Sequence, residues 1–297
     1  MGWRSVIISQ PARLAVKNRQ LLLEQDSGEV TLPLEDLSVI VLETRQATLT
    51  AALLAELAAH DVALLTCDAN HTPNGVLLPY LPHSRALRVM QQQLALSLPQ
   101  KKRAWQSIVQ QKLLNQALCL DQQRRGAGDF LRVLASRVTS GDSDNREATG
   151  ASYHFATLFG DHFTREQDRW INSALNYGYA IQRAAIARSL VCHGFLPAFG
   201  LQHKSQRNAF NLADDLIEPL RPLVDSWVAT HTAPERDTLL PADKAALVQL
   251  LYHDVQMHAG QMNVLTAIDA MVHSLGRFCD GGEPGQLDWP QLLPEQP

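Results

Sequence analysis

The chain has 297 residues, 45% hydrophobic and 19% charged, with a formal net charge of −4; it is long enough for two domains, and neither disordered nor fibrous. Its four cysteines (Cys67, Cys119, Cys192, Cys279) are scattered without a C-x-x-C pair, so neither a disulfide framework nor a thiolate zinc site is suggested, which points to a reducing compartment. The opening M-G-W-R-S-V-I-I-S-Q lacks the apolar core of a signal peptide and no stretch reaches membrane-span length, so a cytoplasmic protein is expected.

Residues 1–80 read as a small, mainly β domain. Apolar or alternating runs occupy 6–9, 13–17 and 20–24, and Asn18-Arg19 and Asp26-Ser27-Gly28 suit hairpin turns. Runs at 30–32 and 38–42 continue the pattern. Residues 48–60 predict a helix capped by Thr48 or Thr50, 63–67 a buried strand and 68–75 a turn-rich loop. Pro79 and Pro82 break this pattern, and from Ser84 the composition changes to long stretches rich in Leu, Ala and Gln. The spacing predicts helices at 85–98, 101–124, 129–138, 146–159, 165–192, 211–231, 241–257 and 259–279. Residues 280–297, dense in Pro and Gly, are expected to be a disordered tail. The fold class is α+β: a small N-terminal mainly β domain, 1–80, and a larger all-α domain, 84–279, that carries the candidate site.

Charge is unevenly spread. Within residues 85–125, Arg85, Arg88, Lys101, Lys102, Arg103, Lys112, Arg124 and Arg125 are opposed by Asp121 alone, whereas acids outnumber bases after Asp225. Such a basic section is compatible with an anionic partner, DNA above all, and equally with a solvated helix face.

Residues 203–225 place His203 ahead of Asp214, Asp215 and Glu218, in a run whose apolar residues recur at helical spacing. On a helix these carboxylates would lie one turn apart, and their repulsion calls for a cation. Oxygen and imidazole donors suit Mg²⁺ or Mn²⁺ better than zinc. Each residue also has an ordinary reading. Small neighbours of Glu147 (Ala148, Gly150, Ala151, Ser152) would admit a metal and a phosphate, or simply let two helices pack closely. His203 follows a Gly- and Pro-punctuated loop, where ligands are commonly presented, yet most histidines are not ligands. Glu218 precedes Pro219, which should kink the helix and splay the carboxylates; Arg221 offers an i, i+3 ion pair instead.

Four segments, N-R-E-A-T-G-A-S-Y-H-F (145–155), D-R-W-I-N-S-A-L-N-Y-G-Y-A-I (168–181), L-P-A-F-G-L-Q-H (196–203) and F-N-L-A-D-D-L-I-E-P-L-R-P-L-V-D (210–225), resemble the CRISPR-associated endonuclease and integrase that inserts new spacers, the Cas-one family. Chain length and the I-E-P-L-R-P-L-V-D wording look most like the form that accompanies Cas-nine effectors. The resemblance implies a site in which Glu147, His203 and Glu218 are both metal ligands and catalytic residues, with Asp215 or Asp214 in support. It also implies a homodimer built through the N-terminal domain, and a heterohexamer with a small Cas-two protein that takes up double-stranded prespacer and repeat DNA. Within the second motif, Asn172 and Tyr177 either line a DNA end or pack beneath the site. Arg85, Arg88, Lys101, Lys102 and Arg103 are the expected DNA-backbone contacts.

The reaction this implies is attack of a 3′-hydroxyl on a phosphodiester, or hydrolysis when water is the nucleophile. It needs alignment and charge neutralisation rather than covalent participation by the protein. The competing readings are another metal-dependent DNA nuclease and a non-catalytic DNA-binding assembly subunit.

Overall fold

The computed structural model describes residues 2–69, 72–80, 83–123, 126–165, 170–231 and 236–294. Strand β1 (Arg4–Ile8) precedes an antiparallel meander of β2 (Ala12–Lys17), β3 (Gln20–Gln25) and β4 (Gly28–Pro33). Asn18 and Arg19 join β2 to β3 with φ of 52° and 59°, the left-handed pair that a two-residue hairpin turn requires. The region is completed by β5 (Leu37–Leu42), β6 (Ala47–Leu49), α1 (Ala51–Ala59), β7 (Ala63–Cys67) and β8 (Pro73–Leu77). Thr50 caps α1, its hydroxyl accepting the Leu53 N–H at 3.2 Å.

The strands form two sheets, ordered β4-β3-β2-β6 and β1-β5-β7-β8. β5 is buried along its whole length because it is covered on both faces. Ile40 and Leu42 point into a core shared with Leu14, Leu21, Leu53 and Leu57, whereas Val39 and Val41 point into the core of the helical body. Lys244 and Glu43, both buried, form an ion pair across the same junction.

The helical body comprises α2 (Ala86–Ala95), α3 (Leu98–Gln123), α4 (Asp129–Ser136), α5 (Arg146–Phe159), α6 (Trp170–Cys192), α7 (Asn211–Leu216), α8 (Arg221–Thr230), α9 (Pro241–Gln249) and α10 (Val264–Cys279). Pro99 falls in the first turn of α3, where a missing N–H costs no helical hydrogen bond. α3 packs against α4, α5 and α8, and α6 against α8, α9 and α10; these two long helices frame the site. No helix among the described residues is long and apolar enough to cross a membrane.

The α+β expectation therefore holds, with three local corrections. The single helix expected at 211–231 is broken, not kinked: α7 ends at Leu216, α8 begins at Arg221, and Glu218 and Pro219 lie in the turn between them. The helices expected at 241–257 and 259–279 are shortened by a hairpin of β9 (Asp254–Met257) and β10 (Gly260–Asn263), with Gly260 at φ 126°. The tail expected to be disordered from 280 is ordered as far as Pro294, and Gln291–Leu292 adds strand β11 to β9. Its Pro and Gly content misleads because Trp289 and Leu292 are buried and its backbone groups find partners on α3. Residues 295–297 lie outside the described residues, as do Pro82, Arg124, Arg125, Asp168 and Arg169 of the segments considered above.

Candidate active site

Glu147 sits in the first turn of α5. Asp142 accepts the N–H groups of Arg146 and Glu147 at 2.8 and 2.9 Å, which satisfies two donors that a helix start leaves open. One turn on, Gly150 presses its backbone against Leu113 of α3, so the small residues after Glu147 do serve close helix packing. That packing sets Glu147 beside Lys112, whose Nζ donates to Glu147 Oε1 at 2.5 Å.

Glu218 occupies the turn between α7 and α8. A break in a helix frees backbone carbonyls, and buried amides take them up: Asn115 Nδ2 donates to Pro219 O at 2.7 Å and Gln182 Nε2 to Leu220 O at 3.1 Å. The turn is thus held in one geometry, and the Glu218 side chain, 6% exposed, points at α3. Its Oε2 lies 2.5 Å from the same Lys112 Nζ, an ion pair without hydrogen-bond alignment, while Arg221 Nε donates to Oε1 at 2.9 Å. Burial alone would push the Glu218 carboxyl up; Arg221 and Lys112 outweigh it and hold the group at about 2. The carboxylates of Glu147 and Glu218 are thereby no farther apart than twice the 2.5 Å that each keeps from Lys112.

His203 ends the loop after α6. Asp215, fully buried, accepts the backbone N–H groups of Leu201, Gln202 and His203 at 2.5, 3.1 and 3.1 Å and His203 Nδ1 at 2.7 Å. Gly200 makes this possible, since a Cβ there would stand 2.7 Å from Asp215 Oδ2. The Asp215 hydrogen bond raises the His203 pKa above its ordinary value against the opposing effect of burial. With Nδ1 so committed, Nε2 is the ring nitrogen left for another task. Trp105 of α3 meets the imidazole edge-on at 5.8 Å.

The structure therefore brings Glu147 and Glu218 together and places Asp215 behind His203. Asp214 is turned to other partners, Arg183 at 2.6 and 3.1 Å and Asn208 at 2.5 Å. Among the described residues, no three His, Cys, Asp or Glu side chains are disposed as a ready metal cluster, and Lys112 pairs with both glutamates. The donor set still fits Mg²⁺ or Mn²⁺: two carboxylates converge on one cationic group, and an imidazole with its other nitrogen fixed lies within electrostatic reach of Glu218.

Tyr177 does not stand at a DNA-accessible surface. It is buried, facing Glu43 and Cys67 of the β region, and its hydroxyl is held far above the ordinary range by burial and the Glu43 charge. Asn172, also buried, ties down the loop before α6 through Thr164 O and Arg165. Of the basic residues, Arg85, Lys102 and Arg103 are exposed and Lys101 is half-buried, Arg88 pairs with Asp280, and Lys112 belongs to the carboxylate pair rather than to a surface patch. Asn115 and Gln116 were not singled out from sequence, and Lys112 was counted only within the basic section. A signal existed, since Lys112 and Gln116 fall in phase with buried Ile108, Val109, Leu113 and Leu120 along α3.

Behind Glu218 a buried network continues. Arg221 lies 4.5 Å over the Tyr179 ring, the Tyr179 hydroxyl donates to Asp225, and His154 Nε2 meets Asp225 Oδ2 at 3.0 Å. These contacts fix the guanidinium that fixes Glu218.

Comparison with known proteins bears on the fold and kinship of the chain. A family model described as CRISPR associated protein Cas1 matches residues 5–150 and 161–237. The chain is 45% identical over 298 residues to a CRISPR-associated endonuclease Cas1 of Neisseria meningitidis serogroup C (strain 8013), covering 99% of this chain and 98% of that one. Among solved structures it is similar to a casposase bound to integration product (TM-score 0.77, 19% identity, 95% of this chain and 92% of that one). It is also similar to a Cas6-RT-Cas1–Cas2 complex (TM-score 0.74, 16% identity, 99% of this chain and 36% of that one). At such identities the structural likeness speaks for the fold, while the family match and the end-to-end relative speak for kinship. The chain belongs to the Cas1 family of CRISPR-associated endonucleases, which are generally metal-dependent.

Proposed function

We propose that this protein inserts new spacer DNA into a CRISPR array by attack of a 3′-hydroxyl on a phosphodiester, using Mg²⁺ or Mn²⁺ held by Glu147, His203 and Glu218. The observation that carries this reading is the convergence of Glu147 and Glu218 on a single cationic group, with an imidazole fixed by Asp215 within electrostatic reach of Glu218. When bound, the metal ion would supply Lewis acidity, polarising a phosphoryl oxygen and stabilising the attacking or leaving oxygen. The protein's own residues prepare for that. Arg221 and the Pro219 turn aim Glu218, the Asp142 cap aims Glu147, and Asp215 fixes which nitrogen of His203 faces outward. No energy source is needed, because one phosphodiester replaces another.

Lys101, Lys102 and Arg103 open α3, one turn before the Trp105 that touches His203, so DNA backbone bound along them would lead to the site. A Cas6-RT-Cas1–Cas2 complex among the structural neighbours supports a small Cas2 partner. The same proposal includes a homodimer built through the β region inside a heterohexamer, acting on DNA in the cytoplasm.

Strand transfer is to be measured with a repeat-bearing duplex and a DNA end carrying a free 3′-hydroxyl. Glu147→Ala and His203→Ala should each abolish transfer while leaving DNA binding largely intact; transfer retained in either variant would overturn the ligand assignment. Cleavage without joining in the parent protein would instead favour a nuclease with no integration role.

A further inference from the structure

We propose that Lys112 is a built-in competitor for the metal: its ammonium occupies the carboxylate pair and must withdraw towards Gln116 when a divalent ion binds there. The proposal rests on the reading above that Glu147 and Glu218 are metal ligands.

Space and charge both argue for exchange rather than coexistence. Lys112 Nζ lies 2.5 Å from Glu147 Oε1 and 2.5 Å from Glu218 Oε2. A magnesium ion binds oxygen at about 2.0–2.1 Å, so an ion bridging those two atoms would claim the volume the ammonium fills. The two carboxylates are neutralised by Lys112 and Arg221 together. Adding a divalent ion with both cations in place would leave a two-charge excess around a glutamate that is 5% exposed, and poorly screened like charges repel strongly there.

Arg221 is the less movable of the two cations. Its guanidinium lies over Tyr179 and grips the other oxygen of Glu218, Oε1, at 2.9 Å. Lys112 carries a compact charge on a flexible four-carbon stem and has somewhere to go. Both Lys112 and Gln116, the next turn of α3, line a cavity of about 210 Å³ beside the carboxylates. Gln116 is 1% exposed, and its side-chain oxygen Oε1 has no hydrogen-bond partner among the described residues. A buried acceptor without a donor, one turn from a donor-only group, is suited to receive it. On this account Lys112 keeps two repelling carboxylates converged before the metal arrives, and metal affinity is lowered in exchange.

The test is calorimetric titration of Mn²⁺ into the full chain without DNA. Lys112→Met should tighten Mn²⁺ binding by about tenfold, and Gln116→Leu should weaken it severalfold by removing the acceptor for the displaced ammonium. An unchanged or weaker affinity in Lys112→Met overturns the proposal, and an unchanged affinity in Gln116→Leu overturns the role given to Gln116. If Lys112→Met does not fold, Lys112→Arg replaces it: a forked guanidinium should hold the pair more firmly and weaken Mn²⁺ binding, and parental affinity overturns the proposal. Glu147→Gln separates the two readings. If Mn²⁺ binding survives that change, the ligand assignment itself fails; if it is lost while Lys112→Met binds like the parent, only the competitor role fails.

Discussion

At the residue scale, the site is a set of charges held by unequal partners. Glu218 shows the consequence for stability. Its carboxyl stands at about 2 in the folded protein against an ordinary value of 4.5, burial pulling it up and Arg221 and Lys112 pulling it further down. A group with a lowered folded-state value contributes stability that is present above the unfolded value and lost as pH falls through the folded one. Thermal melting of the parent should therefore fall steeply between pH 4.5 and about 2, and Glu218→Gln should show a shallower decline over the same window. An identical pH profile in the variant would mean that the Glu218 ion pairs add nothing to the fold. Reading sequence alone, Glu147, His203 and Glu218 stood out because each sits in a distinctive local text. Lys112 did not, since a lysine among glutamines reads as solvated until its phase with Val109 and Leu113 is counted.

At the element scale, glycine determines how closely helices approach around the site. Gly178 of α6 faces α8, and a Cβ at that position would lie 2.6 and 3.0 Å from the two methyl groups of Val224. Val224 is wholly buried and branched at Cβ, so it has little freedom to yield. Gly178→Ala should destabilise the protein by about 1–3 kcal/mol in chemical denaturation, and Val224→Ala in the same chain should recover part of the loss. Loss without recovery would show that the crossing of α6 and α8 is not limited by that contact. The long helices were legible from composition and period. The β9–β10 hairpin, a local pairing that turns at Gly260, was read as helix; the full break at Pro219, read only as a kink, and the ordered segment after α10 depend on distant partners, Asn115 for both and β9 for β11. Such partners leave no local mark in the sequence.

At the scale of the whole molecule, the β region and the helical body share a core through Val39 and Val41 and are joined by the buried Lys244–Glu43 pair, so forces on one are transmitted to the other. The surface works differently. Net charge is −4, yet exposed cations gather where α3 begins, beside the residues that lead to His203. Reversing Lys101, Lys102 and Arg103 to glutamate should weaken DNA binding and flatten its dependence on salt, since fewer counterions would be released. Equal salt slopes in variant and parent would place that surface away from DNA. The sequence showed this charge asymmetry but overstated the patch, for Lys112 is buried and Arg88 is paired.

Asn115 ties events at opposite ends of synthesis. One carboxamide holds Pro219 O beside Glu218, holds Pro290 O, and accepts the N–H of Leu292. Glu147, His203 and Glu218 are all translated long before residues 289–292. A nascent chain therefore carries every candidate ligand while the clamp on the Glu218 turn is still half made. Until the polypeptide has grown past Leu292, the carboxamide that holds the Glu218 turn lacks its partners at Pro290 and Leu292.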